Sequence, residues 1–341
     1  MDLFFELLQV ALGMREKLSL VPDIVEWGEI LKEAERQAVV GVLMGGLEKL
    51  HDEYRPPKDV LLQWIGMGQM MEATEKLHEV RAKQVTQAFS AVGIKSCVIK
   101  GVGLAQLYPL PERRQCGDID LWVSGDREDV MLWLRSQYKV GEVRWHHVDA
   151  HIFDDVQTEI HFHVTWLFNP RNNKRLQKWI DANGLPLALE SEKGFCVPPI
   201  KFDAVYTMIH AFHHLLETGI GLRHMVDYYY VLTSLHRDER DGVLRTIEAL
   251  GMKKFLGSMM WVMKNVCGMS NDKLLCEPDE QEGGFLLSEI MAGGNFGHSR
   301  TDGKGLNTLS RWFMMVKHYP EEVLWMVPWK IWHWFWRRFN A

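Results

Sequence analysis

The spacing of apolar residues changes twice along this chain, and those changes outline its organisation. After Asp23, the run Ile-Val-Glu-Trp-Gly-Glu-Ile-Leu-Lys-Glu-Ala places its apolar residues at helical intervals. The stretch from about Val60 to Ala91 continues that pattern. Its charged residues Glu72, Glu75, Lys76, Glu79, Arg81 and Lys83 are expected on a solvated face. Near Gly93 the period shortens. Ile94–Ile99 predicts a strand, Gly103–Tyr108 a short helix ended by Pro109 and Pro111, and Asp118–Val123 a second strand. Gly125-Asp126 opens a predicted helix to about Gln137, with Val130, Leu132 and Leu134 as its apolar contacts. Two further strands are expected near 143–153 and 156–164, joined by a turn at Asp154-Asp155. In the second, Ile160, Phe162 and Val164 face one way while Glu159, His161 and His163 face the other. From Pro198 the helical period returns, most clearly over Lys201–Glu217 and Leu222–Leu235. Asn295–Gly305 reads as a Gly-rich, mobile loop. The layout is α+β: a helical region over 1–90, a small mixed-sheet core over 91–200 and a second helical region over 201–341.

Chemistry concentrates in that core. Val98-Ile-Lys-Gly-Val-Gly-Leu-Ala-Gln-Leu-Tyr108 runs an apolar strand into a Lys-Gly turn, and Arg114-Gln-Cys-Gly-Asp-Ile-Asp-Leu-Trp-Val123 follows. Asp118 and Asp120 are two apart on a strand and share a face, while Ile119, Leu121 and Val123 point to the other. Paired carboxylates beside a glycine turn suit Mg²⁺ and a triphosphate. Glu159, on a strand expected beside that of Asp118, is the natural third carboxylate; the alternative is a cross-strand ion pair with Arg144. Lys100 and the backbone of Gly101 and Gly103 are candidate phosphate contacts, with Arg114 as a planar fork for β/γ-phosphate. The turn is neither a Walker A loop nor a dinucleotide fingerprint.

Further along, His210, His213 and His214 share one face of a predicted helix, with Arg223, His224 and Asp227 downstream. A zinc hydrolase built on these histidines is one reading, and a polar helix face lining an active cleft is another. The sequence has no HExxH. Arg223 and Asp227 are spaced for an i,i+4 ion pair. The tail Val323–Phe339 holds five tryptophans and ends in an Arg pair, a composition that fits packing onto the body of the protein, a subunit contact or a membrane surface.

Bulk properties narrow the classes. A chain of 341 residues exceeds most single cores. A net charge of −6 argues against broad binding of long duplex nucleic acid, which needs a basic surface. Five widely spaced cysteines without CxxC disfavour a disulfide framework or a zinc ribbon and fit a reducing cytoplasm. No signal peptide and no uncharged apolar run of membrane-spanning length is read.

Taken in order, Lys100-Gly101 with Leu107-Tyr108-Pro109, Arg114 with Gly117–Val123, Glu159-Ile-His161, His210…His214, Gly221-Leu-Arg223…Asp227 and Gly294-Asn-Phe-Gly297 resemble the bacterial uncharacterised nucleotidyltransferase family. That family is a branch of the DNA polymerase β-like superfamily, and the resemblance spans most of residues 20–300. It implies that Asp118 and Asp120 bind two metals, Mg²⁺ or Mn²⁺, and that Glu159 is the third carboxylate. It also implies transfer of a nucleoside monophosphate from an NTP to an acceptor, releasing pyrophosphate. The acceptor is a small molecule, a peptide or a protein, with His161, His210, His214, Arg223 and Asp227 expected on its side. A degenerate nucleotide-binding or protein-interaction module is the alternative, because Val102 stands where the superfamily turn has Gly or Ser.

Overall fold

Capping side chains begin the helices where the sequence places them. The Asp23 carboxylate accepts from the amides of Val25 and Glu26, and the Glu26 carboxylate accepts from the Asp23 amide, all at 2.8 Å. Four of the backbone donors at a helix start lack an intrahelical partner, and this reciprocal pair satisfies some of them. Asp126 and Asn169 perform the same task further on.

The computed structural model describes residues 2–295 and 308–340. In chain order its helices are α1 (Asp2–Ala11), α2 (Ile24–Arg36), α3 (Val40–Lys49), α4 (Lys58–Ala91), α5 (Gly101–Ala105), α6 (Arg127–Gln137), α7 (Pro170–Asn183), α8 (Ile200–Leu216), α9 (Leu222–Ser234), α10 (Arg240–Ala249), α11 (Lys253–Asn265), α12 (Glu280–Gly293), α13 (Thr308–His318) and α14 (Pro320–Asn340). The strands are β1 (Ser96–Ile99), β2 (Ile119–Val123), β3 (Lys139–Val143), β4 (His147–His151), β5 (Thr158–His161) and a small hairpin of β6 (Leu189–Glu190) and β7 (Cys196–Val197). This is the α+β architecture expected, helix-rich with one mixed sheet. The Asn295–Gly305 loop falls outside the described residues beyond Asn295.

The chain divides into two units. The first comprises Met1–Glu75, Leu107–Gln115 and His210–Lys304; the second comprises Lys76–Gln106, Cys116–Ile209 and Gly305–Ala341. The first is helical. Phe4, Leu7 and Leu8 of α1 are buried, and α3 approaches so closely that a Cβ on Gly46 would lie 3.0 Å from the Leu7 carbonyl oxygen. In its later part, Phe212 of α8 packs on Phe255 of α11.

The second unit holds the sheet, in the order β1-β2-β5-β4-β3. β2 and β5 are parallel and the other neighbours antiparallel. Pairing aligns Val98, Leu121, Ile160 and Val148 in one row across four strands, and all four are fully buried. Ala82, Val85 and Phe89 of α4 and Val130, Met131 and Leu134 of α6 complete this core. Complete burial of such aliphatic side chains contributes about 1.5–3 kcal/mol each. The adjacent row, Ile99, Asp120, Glu159 and Asp149, must face the opposite side. The strand period therefore separates a dry face from an ionisable one.

Three local expectations are corrected. Leu132 is exposed and Met131 takes its place in the core, because the burial of α6 follows 130, 131 and 134. Glu75 is buried rather than solvated. The strand expected at 143–153 is a hairpin: the chain turns at Arg144–His146, where the Arg144 amide donates to the His147 carbonyl, and β3 begins at Lys139. A register shift between Val140 and Val143 breaks the alternation that would have revealed β3.

The Trp-rich tail forms α14, and one side of it packs against the rest of the second unit. Trp329 stacks on Trp166 at 5.4 Å, the Arg127 guanidinium lies over Trp336, and Arg337 pairs with Glu142. The Glu322 carboxylate accepts from the amides of Phe168 and Asn169 at 2.6 and 3.1 Å. Leu324, Val327, Ile331, Trp334, Phe335 and Phe339 are exposed on the other side. No described helix is long and apolar enough to cross a membrane.

Candidate functional site

The ionisable face of the sheet carries a connected set of side chains. Asp118 immediately precedes β2, Asp120 lies within it, and Glu159 sits beside Asp120 on β5. One oxygen from each of Asp118, Asp120 and Glu159 lies within 4.8 Å of the others. Lys100, at the end of β1, donates from Nζ to Asp120 Oδ1 at 2.7 Å. His161 Nε2 meets the same oxygen at 2.7 Å and Glu159 Oε2 at 3.3 Å. His147 Nδ1 lies 3.4 Å from Glu159, and its Nε2 lies 3.6 Å from Asp149. The alternative, a Glu159–Arg144 ion pair, does not form; Arg144 reaches Glu142 at 2.9 Å.

The turn beneath this set is unusual. Lys100 adopts φ 53° and Gly101 φ 31°. A non-glycine residue in that region is uncommon and costs of order 1 kcal/mol or more. A Cβ on Gly101 would stand 3.2 Å from the Asp118 carbonyl oxygen, and one on Gly103 would stand 2.8 Å from the Val98 carbonyl oxygen. Gly101 thus lets the turn lie against the segment that carries Asp118, and Gly103 lets α5 lie against β1.

Electrostatics divides the carboxylates. The negative charge of Asp120, reinforced by burial, pushes Asp118 up to about 6. Burial opposes ionisation of Asp120, but Lys100 and His161 together hold it well below the usual carboxylate range. Burial likewise opposes the charge on Glu159, and the His161 hydrogen bond lowers it. Burial and Lys100 work against protonated His161, yet its bonds to Asp120 and Glu159 raise it above its ordinary value. Burial, then His161, lowers His147 to about 4. Tyr206 of α8 is buried near Lys100, and burial raises its hydroxyl far above the ordinary value.

The remaining predicted residues lie in the first unit. Arg114 donates from Nε to Asp227 Oδ1 at 2.7 Å and from Nη2 to Oδ2 at 2.8 Å, and the Tyr108 hydroxyl donates to Oδ1 at 2.6 Å. Arg223 donates to the Gln115 carbonyl at 3.0 Å. Asp227 therefore takes its bidentate partner from Arg114, not from its i,i+4 neighbour. His210 meets His214, while His213 faces Glu217 at 3.8 Å. The structure brings Lys100, Gly101, Asp118, Asp120, Glu159 and His161 together and places Arg114, His210, His214, Arg223 and Asp227 in the other unit.

Sequence reasoning missed His147, Asp149 and Tyr206. The first two had a signal, because His147, Asp149 and His151 alternate with Val148 and Ala150. Tyr206 had none, since its meeting with Lys100 joins distant parts of the chain.

A family described as "Uncharacterised nucleotidyltransferase" matches residues 23–268. The chain belongs to that family. The match covers the Lys-Gly turn, all three carboxylates and the Arg114–Asp227 pair. Among solved structures, an antigenic nucleotidyltransferase-like protein from Paracoccidioides brasiliensis is similar at 12% identity and a TM-score of 0.36, covering 60% of this chain and 94% of that one. No curated protein matches.

Proposed function

We propose that the protein transfers a nucleoside monophosphate from an NTP to an acceptor hydroxyl, releasing pyrophosphate, with Mg²⁺ or Mn²⁺ as cofactor. The observation that carries this reading is the meeting of Asp118, Asp120 and Glu159 within 4.8 Å on adjacent strands. An all-carboxylate donor set suits a hard dication. The mutual repulsion that raises Asp118 is the strain that a bound dication relieves. Asp118, Asp120 and Glu159 would hold the metal, which would neutralise phosphate charge and orient the reacting groups. Lys100 and the backbone at Gly101 would hold phosphate oxygens. Glu159 would accept the acceptor's hydroxyl proton as the new P–O bond forms at the α-phosphorus and the α–β bridge breaks. Arg114 has a structural role in this proposal, because its fork is already filled by Asp227.

A second reading rests on Lys100. Its ammonium and His161 already neutralise Asp120, so the same face could bind nucleotide without turning it over. Thermal stability with each NTP separates the outcomes. A nucleotide at 100 times its dissociation constant adds about 2.7 kcal/mol. We expect that shift to need Mg²⁺ and to vanish in an Asp118→Asn/Asp120→Asn variant. A shift independent of both would overturn the assignment of these carboxylates. A Mg²⁺-dependent shift without pyrophosphate release on addition of acceptor pools would favour the binding module.

Acid should weaken the site before it unfolds the protein. Metal ligands must be deprotonated, and Asp118 in the free site is half-protonated at about pH 6. Apparent Mg²⁺ affinity should therefore fall about tenfold per pH unit below that point, and hold steady above pH 7. Titration calorimetry at pH 5, 6 and 7.5 checks this. Equal affinity at pH 5 and 7.5 would show that Asp118 is not a ligand.

A further inference from the structure

The first unit contains a cluster of a different chemical character. His210 and His214 stand one turn apart on α8, and His224 occupies the first turn of α9 after the tight connection through Gly221. His210 Nε2 and His214 Nε2 face each other at 3.1 Å. The ring of His224 lies 4.4 Å from that of His214 and 6.0 Å from that of His210. One ring nitrogen from each of the three falls within 4.8 Å of the others.

In His214 and His224 the Nδ1 atoms have partners. His214 Nδ1 meets Thr218 Oγ1 at 2.8 Å, and His224 Nδ1 lies 3.3 Å from both the amide and the carbonyl of Gly221. When Nδ1–H donates to a hydroxyl or a carbonyl oxygen, the lone pair is left on Nε2. Metal at Nε2 would select the tautomer in which Nδ1–H donates to Thr218 Oγ1 from His214 and to the Gly221 carbonyl from His224, in place of accepting the Gly221 amide. Tetrahedral zinc with Zn–N of about 2.0–2.1 Å sets its nitrogen ligands roughly 3.3 Å apart, close to the His210–His214 separation.

We propose that His210, His214 and His224 bind a first-row transition metal, Zn²⁺ by donor type and geometry, through their Nε2 atoms. Imidazole donors favour Zn²⁺ over Mg²⁺, so this centre is chemically separate from the carboxylate face of the second unit. Three protein ligands leave a fourth position for water or a substrate group. The metal would also tie the end of α8 to the start of α9. His213, one residue from the cluster, takes no part, since it faces Glu217. The proposal is independent of the nucleotidyl-transfer reading.

The test is metal content of the full chain after loading with Zn²⁺ and dialysis. We expect one equivalent per chain in wild type. It should be retained in Glu159→Gln/His161→Ala, which removes the other histidine-bearing cluster, and lost in His210→Ala and in His224→Ala. Cobalt loading of wild type should give the intense visible bands of a four-coordinate site. X-ray absorption of the zinc-loaded wild type should show an imidazole shell, a readout that stands even if the histidine variants fold poorly. Absence of retained zinc in wild type, a spectrum without imidazole ligands, or zinc that survives both histidine substitutions but not Glu159→Gln/His161→Ala would each overturn the proposal.

Discussion

Asp120→Asn is expected to lower nucleotidyl transfer by about three orders of magnitude. The substitution keeps the shape of the side chain and removes its charge. Charge stabilisation by a bound metal contributes several kcal/mol to such reactions, and each 1.36 kcal/mol is tenfold in rate. A second consequence is local. Lys100 and His161 both direct a nitrogen to Asp120 Oδ1 at 2.7 Å, so the asparagine leaves a half-buried ammonium and a buried imidazole without their common counter-charge. The loss should therefore appear in the transfer step and in Mg²⁺ affinity together. Pyrophosphate release at saturating NTP, measured beside circular dichroism to verify folding, checks it. Retention of more than about a tenth of wild-type transfer in a folded variant would remove Asp120 from the reaction.

Breaking the Arg114–Asp227 pair should give the largest loss of stability. Both side chains are almost fully buried, with relative exposures of 5% and 9%. Removing one partner of a buried ion pair costs about 3–5 kcal/mol, because the other is left charged and unpaired. Asp227→Ala also strands the Tyr108 hydroxyl, so it should fall at the upper end. Arg114→Met/Asp227→Leu should lose less than either alanine variant, since no buried charge remains. Burial opposes ionisation of Asp227, but Arg114 and Tyr108 hold its carboxyl below the ordinary value. Between its folded and unfolded values the unfolded chain binds more protons, so stability rises with pH. The pair's contribution is complete above about pH 4, the ordinary carboxylate value, and fades as pH falls below it. Urea midpoints measured from pH 7 to pH 3 should drop steeply for wild type at the acid end and much less for the double variant. A loss below about 1 kcal/mol in Asp227→Ala would mean that water reaches the pair.

The parts legible in the sequence are those decided by neighbours. Strand parity alone puts Asp118 and Asp120 on one face and Leu121 on the other, and Asp23 and Asp126 start their helices by contacts within three residues. Glu159 was readable as a carboxylate on a later strand because Ile160 beside it is apolar, although only the parallel pairing of β2 with β5 sets it opposite Asp120. What was hidden depends on distant partners. Arg114 looks like a phosphate ligand until Asp227, far along the chain, fills its fork. Glu75 has the spacing of a solvated residue and is nevertheless buried. Helical spacing groups His210 with His214, but His224 joins them only because the chain folds back at Gly221.

The grip of Glu322 on the amides of Phe168 and Asn169 bears on how the protein is made. The second unit closes with α14, yet residues 210–304 of the first unit are translated in between. At about 5–20 residues per second, synthesis of that insert takes roughly 5–20 s. Throughout that interval the face of Trp145 and Trp166 awaits the helix that will cover it. The second unit thus has all its strands but lacks α14 for seconds on the ribosome, with its aromatic flank open to a chaperone or to a second nascent chain.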